Sequence, residues 1–173
     1  MISPRIALIL SELGIEPEII AVRELSEFEE ATELDVAEVD VDGREHLLIP
    51  AACMAWKSMK AAALLEGIEL NVVSAFRGVD RQSEIVRRKL ATGASMADVL
   101  CVNAPPGFSE HHSGRAIDLT TPACRPLEVE FEQTAAFVWL RSRAGEFGFR
   151  LSYPQNNCLG YQYEPWHWYF YVS

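Results

Sequence analysis

Apolar positions recur along this chain in distinct rhythms, and each rhythm predicts a different element. After Pro50, the residues Ala51, Met54, Ala55, Met59, Ala62, Ala63 and Leu65 return at helical spacing until Gly67. Pro50 suits the first helical position and Gly67 the stop, so a long helix is expected there, with its methionines and Trp56 in the core. Ser3 can cap a shorter helix through Leu13, ended by Gly14 and followed by Pro17. Residues 36–41 instead alternate Val or Ala with Glu and Asp, the period of a half-buried strand. Asp42-Gly43 then turns the chain into a partner strand from His46 to Ile49.

Further on, Leu70, Val72 and Val73 mark a buried strand over 69–75. An amphipathic helix is expected from Asp80 to Leu90, with Ile85, Val86 and Leu90 inward and Arg81, Arg87, Arg88 and Lys89 outward. Ser95 opens another short helix, and Asn103-Ala104-Pro105-Pro106-Gly107 forces an irregular loop. Strands are expected over 115–119, 149–153 and 166–172, with a loop over 154–163. Thr134 can cap a helix reaching Phe147, stopped by Gly148. Helices and strands alternate without a repeated strand–helix–strand rhythm, and hairpin signals are present. The expected class is therefore α+β, a small antiparallel sheet with flanking helices. At 173 residues the chain is read as one domain. N-terminal helices and a hairpin over 1–69 are expected to pack on a core formed by 70–173.

Charge narrows the partners. The formal net charge is -10, which removes a basic nucleic-acid footprint and disfavours an anionic membrane surface. Acid is concentrated between Ser26 and Glu45, without the ligand spacing of a calcium loop, and reads as a solvated face. Cys53, Cys101, Cys124 and Cys158 form no CxxC pair and are expected as reduced thiols. No run approaches the roughly 20 apolar residues of a membrane helix. The apolar stretch over 6–10 is too short for a signal-peptide core, so the expected location is cytoplasmic.

Histidine carries the chemistry. The chain has His46, His111, His112 and His167, and three of these four fall in two short segments, 109–118 and 164–167. Those segments also hold Asp118 and Glu164. Two imidazoles and one carboxylate, with a glutamate to take a proton, match the inventory of a catalytic zinc site. Asp118 sits in a strand beside Gly114 and Ala116, which leave room for a metal and a substrate. Zinc so held lowers the pKa of bound water toward about 7. Glu164 is the candidate base, and Arg77, just past the strand over 69–75, the candidate for a developing oxyanion. Adjacent residues rarely bind one metal, so His112 is expected to support the site or lie at the surface.

These residues resemble the LAS family of zinc metallopeptidases, in its VanY-like D-alanyl-D-alanine carboxypeptidase branch. The SxHxxGxAxD motif stands as Ser109, His111, Gly114, Ala116 and Asp118, and ExWH as Glu164, Trp166 and His167. An SGYRS-like element stands as Ser74-Ala75-Phe76-Arg77-Gly78, followed by Gln82. Phe76 occupies a place where the family often has Tyr, and Gly78 one where it often has Ser. The resemblance spans residues 70–169 and implies a hedgehog-like fold, with His111, Asp118 and His167 as zinc ligands and Glu164 as base. It implies Arg77 on the scissile carbonyl or a substrate carboxylate. Ser109, Gln82 and Trp166 complete the implied substrate-binding set. The implied substrate is a peptidoglycan peptide ending in D-alanine. A cytoplasmic enzyme would meet recycled tetrapeptides, which points to L,D-carboxypeptidase activity. D,D-carboxypeptidase or D,D-dipeptidase activity is the alternative, and a non-catalytic zinc-binding module a further one.

Overall fold

The computed structural model describes residues 2–122 and 124–171. Its N-terminal part runs α1 (Pro4–Leu13), α2 (Pro17–Val22), β1 (Asp35–Val39), β2 (Glu45–Leu48) and α3 (Pro50–Leu65). There follow β3 (Asn71–Ser74), α4 (Val79–Ala91), α5 (Met96–Val102), β4 (Ala116–Thr120), α6 (Ala135–Arg143), β5 (Phe149–Leu151) and β6 (His167–Phe170). Short 3-10 turns lie at Glu110–Ser113, Val129–Gln133 and Ala144–Phe147. Strands β3, β4, β6 and β5 form one sheet in that order, every pair antiparallel. Strands β1 and β2 make a separate antiparallel hairpin. The α+β class and small antiparallel sheet expected from the sequence are what the chain forms.

Two apolar clusters hold these elements. The larger joins α3, the inward residues Ile117 and Leu119 of β4, α6, and aromatics including Phe131, Phe149 and Trp168. The second joins α1 and α2 to α4, α5 and Phe108. Residues 1–69 therefore supply both clusters: α3 and the hairpin pack with the sheet, while α1 and α2 pack against α4 and α5.

Local differences from the sequence reading have physical causes. The buried stripe of α3 is Ala52, Cys53, Trp56, Met59 and Ala63, while Met54 is 66% and Leu65 89% exposed. Trp56, Met59 and Ala63 are core as expected and Ala55 and Ala62 pack against it, but alanines on several sides of this helix blur its apolar face, so Ala51, Met54 and Leu65 were wrongly included. Pro17 starts α2, as proline can at a first helical position, instead of only ending α1. Ser3 makes no side-chain cap; its backbone N–H donates to Glu27 Oε2 at 2.9 Å. Thr134 does cap α6, accepting from Phe137 N at 3.2 Å, but that helix gives way to a 3-10 turn before Gly148. The last strand ends at Phe170 within the described residues; Val172, included in its expected span, lies outside them.

Candidate metal centre and its cleft

The sheet register brings two of the three candidate ligands together. Asp118 of β4 lies directly opposite His167 of β6. His167 Nδ1 stands 2.9 Å from Asp118 Oδ1, and His111 Nε2 stands 3.2 Å from Asp118 Oδ2. One donor atom from each of the three residues falls within 4.8 Å of the others. Zinc–ligand bonds of about 2.0–2.1 Å put tetrahedral donors about 3.4 Å apart, so this triad fits a zinc ion with small adjustments.

His111 reaches the strands because of the turn that carries it. Glu110–Ser113 is a 3-10 turn closed by Gly114 at φ 65°, the left-handed conformation in which glycine is unstrained. A Cβ at Gly114 would also meet Ile49, Leu34 and Ala31 at 3.0–3.1 Å, so the turn is pressed against the N-terminal segment.

Hydrogen bonds fix which nitrogen of each imidazole faces the centre. A carbonyl only accepts, so His111 Nδ1–H donates to Ala75 O at 2.7 Å and its Nε2 is left for a metal. For His167 the roles reverse: Nε2–H donates to Glu110 Oε2 at 2.8 Å, and Nδ1 faces Asp118. The Tyr153 ring stacks on His167 with centroids 4.6 Å apart. A carbonyl, a carboxylate and a ring thus immobilise both imidazoles from behind.

Electrostatics follow from burial in mixed company. Burial opposes ionisation of Asp118, but the two imidazoles hold its carboxyl well below the usual range. Burial would push the His167 imidazolium down, yet its bonds to Asp118 and Glu110 carry it up to about 10. Burial pushes Glu164 up to about 7, tempered by His167 and assisted by the charge of Asp118. Glu164 Oε2 lies 3.9 Å from His167 Nδ1, beside the ligand triad and not within it. A carboxyl near 7 is matched to moving protons at neutral pH.

Arg77 lines the same cleft and is held by its backbone to the turn that carries His111. Its N–H donates to His111 O at 3.2 Å, and its O accepts from His112 Nδ1–H at 2.5 Å. Its guanidinium feels Asp118 and Glu164, and its Nε is buried and finds no hydrogen-bond partner among the described residues, a donor available to a ligand.

The cleft enclosing these groups holds about 240 Å³. Arg77, Ser109, His111, Asp118, Glu164 and His167 line it, as does Trp166. Gln82 does not: it is buried behind the wall, donating from Nε2 to Ala104 O at 2.7 Å, and so supports the loop whose Asn103 and Ala104 reach the cleft. His112 is fully buried and not at the surface, with Nε2 accepting from Gly107 N at 3.1 Å. Sequence reasoning gave no role to Glu110, to Tyr153, or to Tyr161, which lines the cleft with its ring centroid 4.7 Å from that of Tyr153. Glu110 meets His167 across 57 residues of chain, and nothing local marks that pairing. An acidic residue beside a ligand histidine was the available hint.

A family model described as VanY, D-alanyl-D-alanine carboxypeptidase, matches residues 45–173. The chain belongs to the VanY family. The match begins at β2, so α3 and half the hairpin are part of the family's shared body. The YodJ protein of Bacillus subtilis (strain 168) is 37% identical over 119 residues, which are 67% of this chain and 43% of that protein. A D-alanyl-D-alanine carboxypeptidase of Enterococcus faecium is 32% identical over 96 residues, 54% of this chain and 27% of that one. The chain spans less than half the length of these curated relatives. Among solved structures, the LdcB LD-carboxypeptidase superposes with a TM-score of 0.74 at 32% identity, covering 82% of this chain and 69% of that chain. A variant of the vancomycin resistance D,D-pentapeptidase VanY, in complex with Zn(II), superposes at 0.61 with 25% identity, covering 81% and 79%.

Proposed function

We propose that this VanY-family protein is a zinc carboxypeptidase that removes a C-terminal D-alanine from peptidoglycan-derived peptides. One observation carries the reading: Glu164, buried and raised to about 7, faces the same cleft as the ligand triad and the unpaired Nε of Arg77. When bound, zinc supplies an acidified water and a polarised carbonyl. Glu164 takes the proton from the attacking water and returns it to the leaving amine. Arg77 offers positive charge to the developing oxyanion or to the substrate's terminal carboxylate. Asp118 and His167 hold their places through the sheet, while Ala75 O and Glu110 keep each imidazole in the tautomer its task requires.

Within that class we favour L,D-carboxypeptidase activity on tetrapeptides, in cytoplasmic cell-wall recycling. Its support is the greater likeness to the LdcB LD-carboxypeptidase than to the D,D-pentapeptidase. D,D-carboxypeptidase activity is the second reading, favoured by the family description and the enterococcal relative.

Mass spectrometry of digests decides between them, using muropeptide tetrapeptide and pentapeptide with and without a chelator. Chelator-sensitive loss of one alanine from the tetrapeptide alone is the expected result. Loss from the pentapeptide alone would replace it with the D,D reading, and loss from neither would remove carboxypeptidase activity on these substrates. Cell fractionation with an antibody tests the location, and recovery outside the cytoplasm would refute the recycling role.

A further inference from the structure

We propose that Glu30 positions Arg77 for the substrate by capping, from a distant part of the chain, the helix that Arg77 leads into. The inference rests on reading the cleft as a peptidase site in which Arg77 meets the substrate. It assigns a task to the acidic N-terminal segment, which the family match over 45–173 does not reach.

Helix α4 begins at Val79, two residues after Arg77. The amides of a first helical turn need outside acceptors, usually an oxygen on the side chain at the N-cap. Here the N-cap is Gly78, which has no side chain to offer. Val79 N–H donates instead to Glu30 Oε1 at 2.7 Å, across 49 residues of sequence. A carboxylate is well suited there, because the positive end of the helix dipole adds to the hydrogen bond.

Gly78 has φ -66° and ψ 161°, an extended conformation open to any residue, so its backbone does not call for glycine. Space does. A Cβ on Gly78 would lie 2.8 Å from Glu30 Oε1, so the glycine makes room for the carboxylate. Glu30 is itself oriented: its Oε2 accepts from Arg5 Nη1 at 2.7 Å, and Arg5 Nη2 also reaches Asp80 Oδ1 at 2.9 Å.

The same segment holds the metal-bearing turn. Phe28 N–H donates to Gly107 O and Ala31 N–H to His112 O, each at 2.8 Å. That turn in turn grips the Arg77 backbone through His111 O and His112 Nδ1. Arg77 is therefore fixed from two directions by one strap, through the histidine turn on one side and the helix start on the other. Losing the Glu30 contact frees the second direction only, which moves the guanidinium and leaves the ligands in place.

The test uses the full zinc-loaded chain with Glu30→Ala, Gly78→Ser and the two combined, each made with Arg77 present and with Arg77→Ala. Glu30→Ala should lower kcat/KM about tenfold with zinc affinity unchanged, the scale of a misplaced positioning group. Gly78→Ser should also lower it, because the new Cβ strikes the carboxylate. The combined variant should recover most of the loss, since serine supplies its own cap in the vacated space. With Arg77→Ala, Glu30→Ala should cost nothing further. An equal loss with and without Arg77, no loss at all, or additive losses in the combined variant would each overturn the proposal. Hydrogen exchange of the segment spanning residues 77–81 separates this failure from that of the peptidase reading. If the unaltered protein cleaves no D-alanine peptide, faster exchange at Val79 in Glu30→Ala, with added protection at Asp80 or Arg81 in the combined variant, still supports the cap. Unchanged exchange would refute it.

Discussion

Replacing Glu110 with glutamine tests how this centre holds its metal. Glu110 and His167 are both buried, and the Nε2–Oε2 separation is 2.8 Å. A hydrogen bond to a charged group contributes about 1.5–3 kcal/mol. Glutamine keeps the volume and an acceptor oxygen, so it removes the charge and little else. The full benefit is not lost, because His167 is protonated before metal binds. Zinc adds two charges at Nδ1 and displaces one proton, so Glu110 acts on a net gain of one. The low end of the range applies, about 1.5 kcal/mol, which is about a tenfold rise in the zinc Kd. Competition titration against a chromophoric chelator at neutral pH measures it, with circular dichroism to establish that the fold is retained. Glu110→Ala should do worse, since it leaves a buried N–H without an acceptor. A zinc Kd within twofold of the parent in the glutamine variant would refute the argument that His167 presents Nδ1 to the metal with Glu110 behind it.

Other expectations are equally open to measurement. Glu164→Gln should bind stoichiometric zinc yet lose about 10²–10⁴ in kcat; turnover at the parental rate would remove Glu164 as the base. Burial would lower His167, but Asp118 and Glu110 carry it up to about 10, so zinc must displace a proton at neutral pH. Its binding constant should then fall about tenfold for each unit of pH lost below that value, more steeply where Glu164, at about 7, is also protonated. Calorimetry in buffers of different ionisation enthalpy counts those protons, and a count of zero would contradict the assignment. Trp56 is fully buried in the larger cluster, and Trp56→Ala should cost about 3–5 kcal/mol in urea unfolding; a loss below about 1 kcal/mol would mean the cluster collapses around the gap.

What the sequence disclosed depended on distance along the chain. Asp118 and His167 were legible because short motifs with rare residues announced them, and alternation along β4 put Asp118 on one face with Ala116, away from Ile117 and Leu119, which enter the larger cluster. Their meeting depends on the β4–β6 register, which no local pattern states. Glu110, Glu30 and Gln82 act through partners 57, 49 and 22 residues away, so their roles emerge only once the chain is folded. For Gln82, a place in the motif suggested contact with substrate, whereas the folded chain puts its amide against the Ala104 carbonyl. The α3 face was legible only in part, at Trp56, Met59 and Ala63 but not at Met54 or Leu65, because an alanine-rich helix lacks the contrast that makes periodicity decisive.

The adjacent histidines show why the site needs both. In a 3-10 turn successive side chains leave the axis about 120° apart, so His111 and His112 cannot share one target. His111 turns to Asp118, and His112 turns away to Arg77 O and Gly107 N. Those two partners require one donor and one acceptor, which only the neutral ring with Nδ1 protonated provides. Burial pushes His112 down to about 4, so that neutral form prevails. One four-residue turn thereby fixes a candidate metal ligand with one ring and the backbone of Arg77 with the next. The His111 ligand and the Arg77 backbone cannot drift apart without breaking the turn between them. The hydrolysis we propose, with Arg77 on the oxyanion or on the substrate's terminal carboxylate, would need that anchor in place before the substrate arrives.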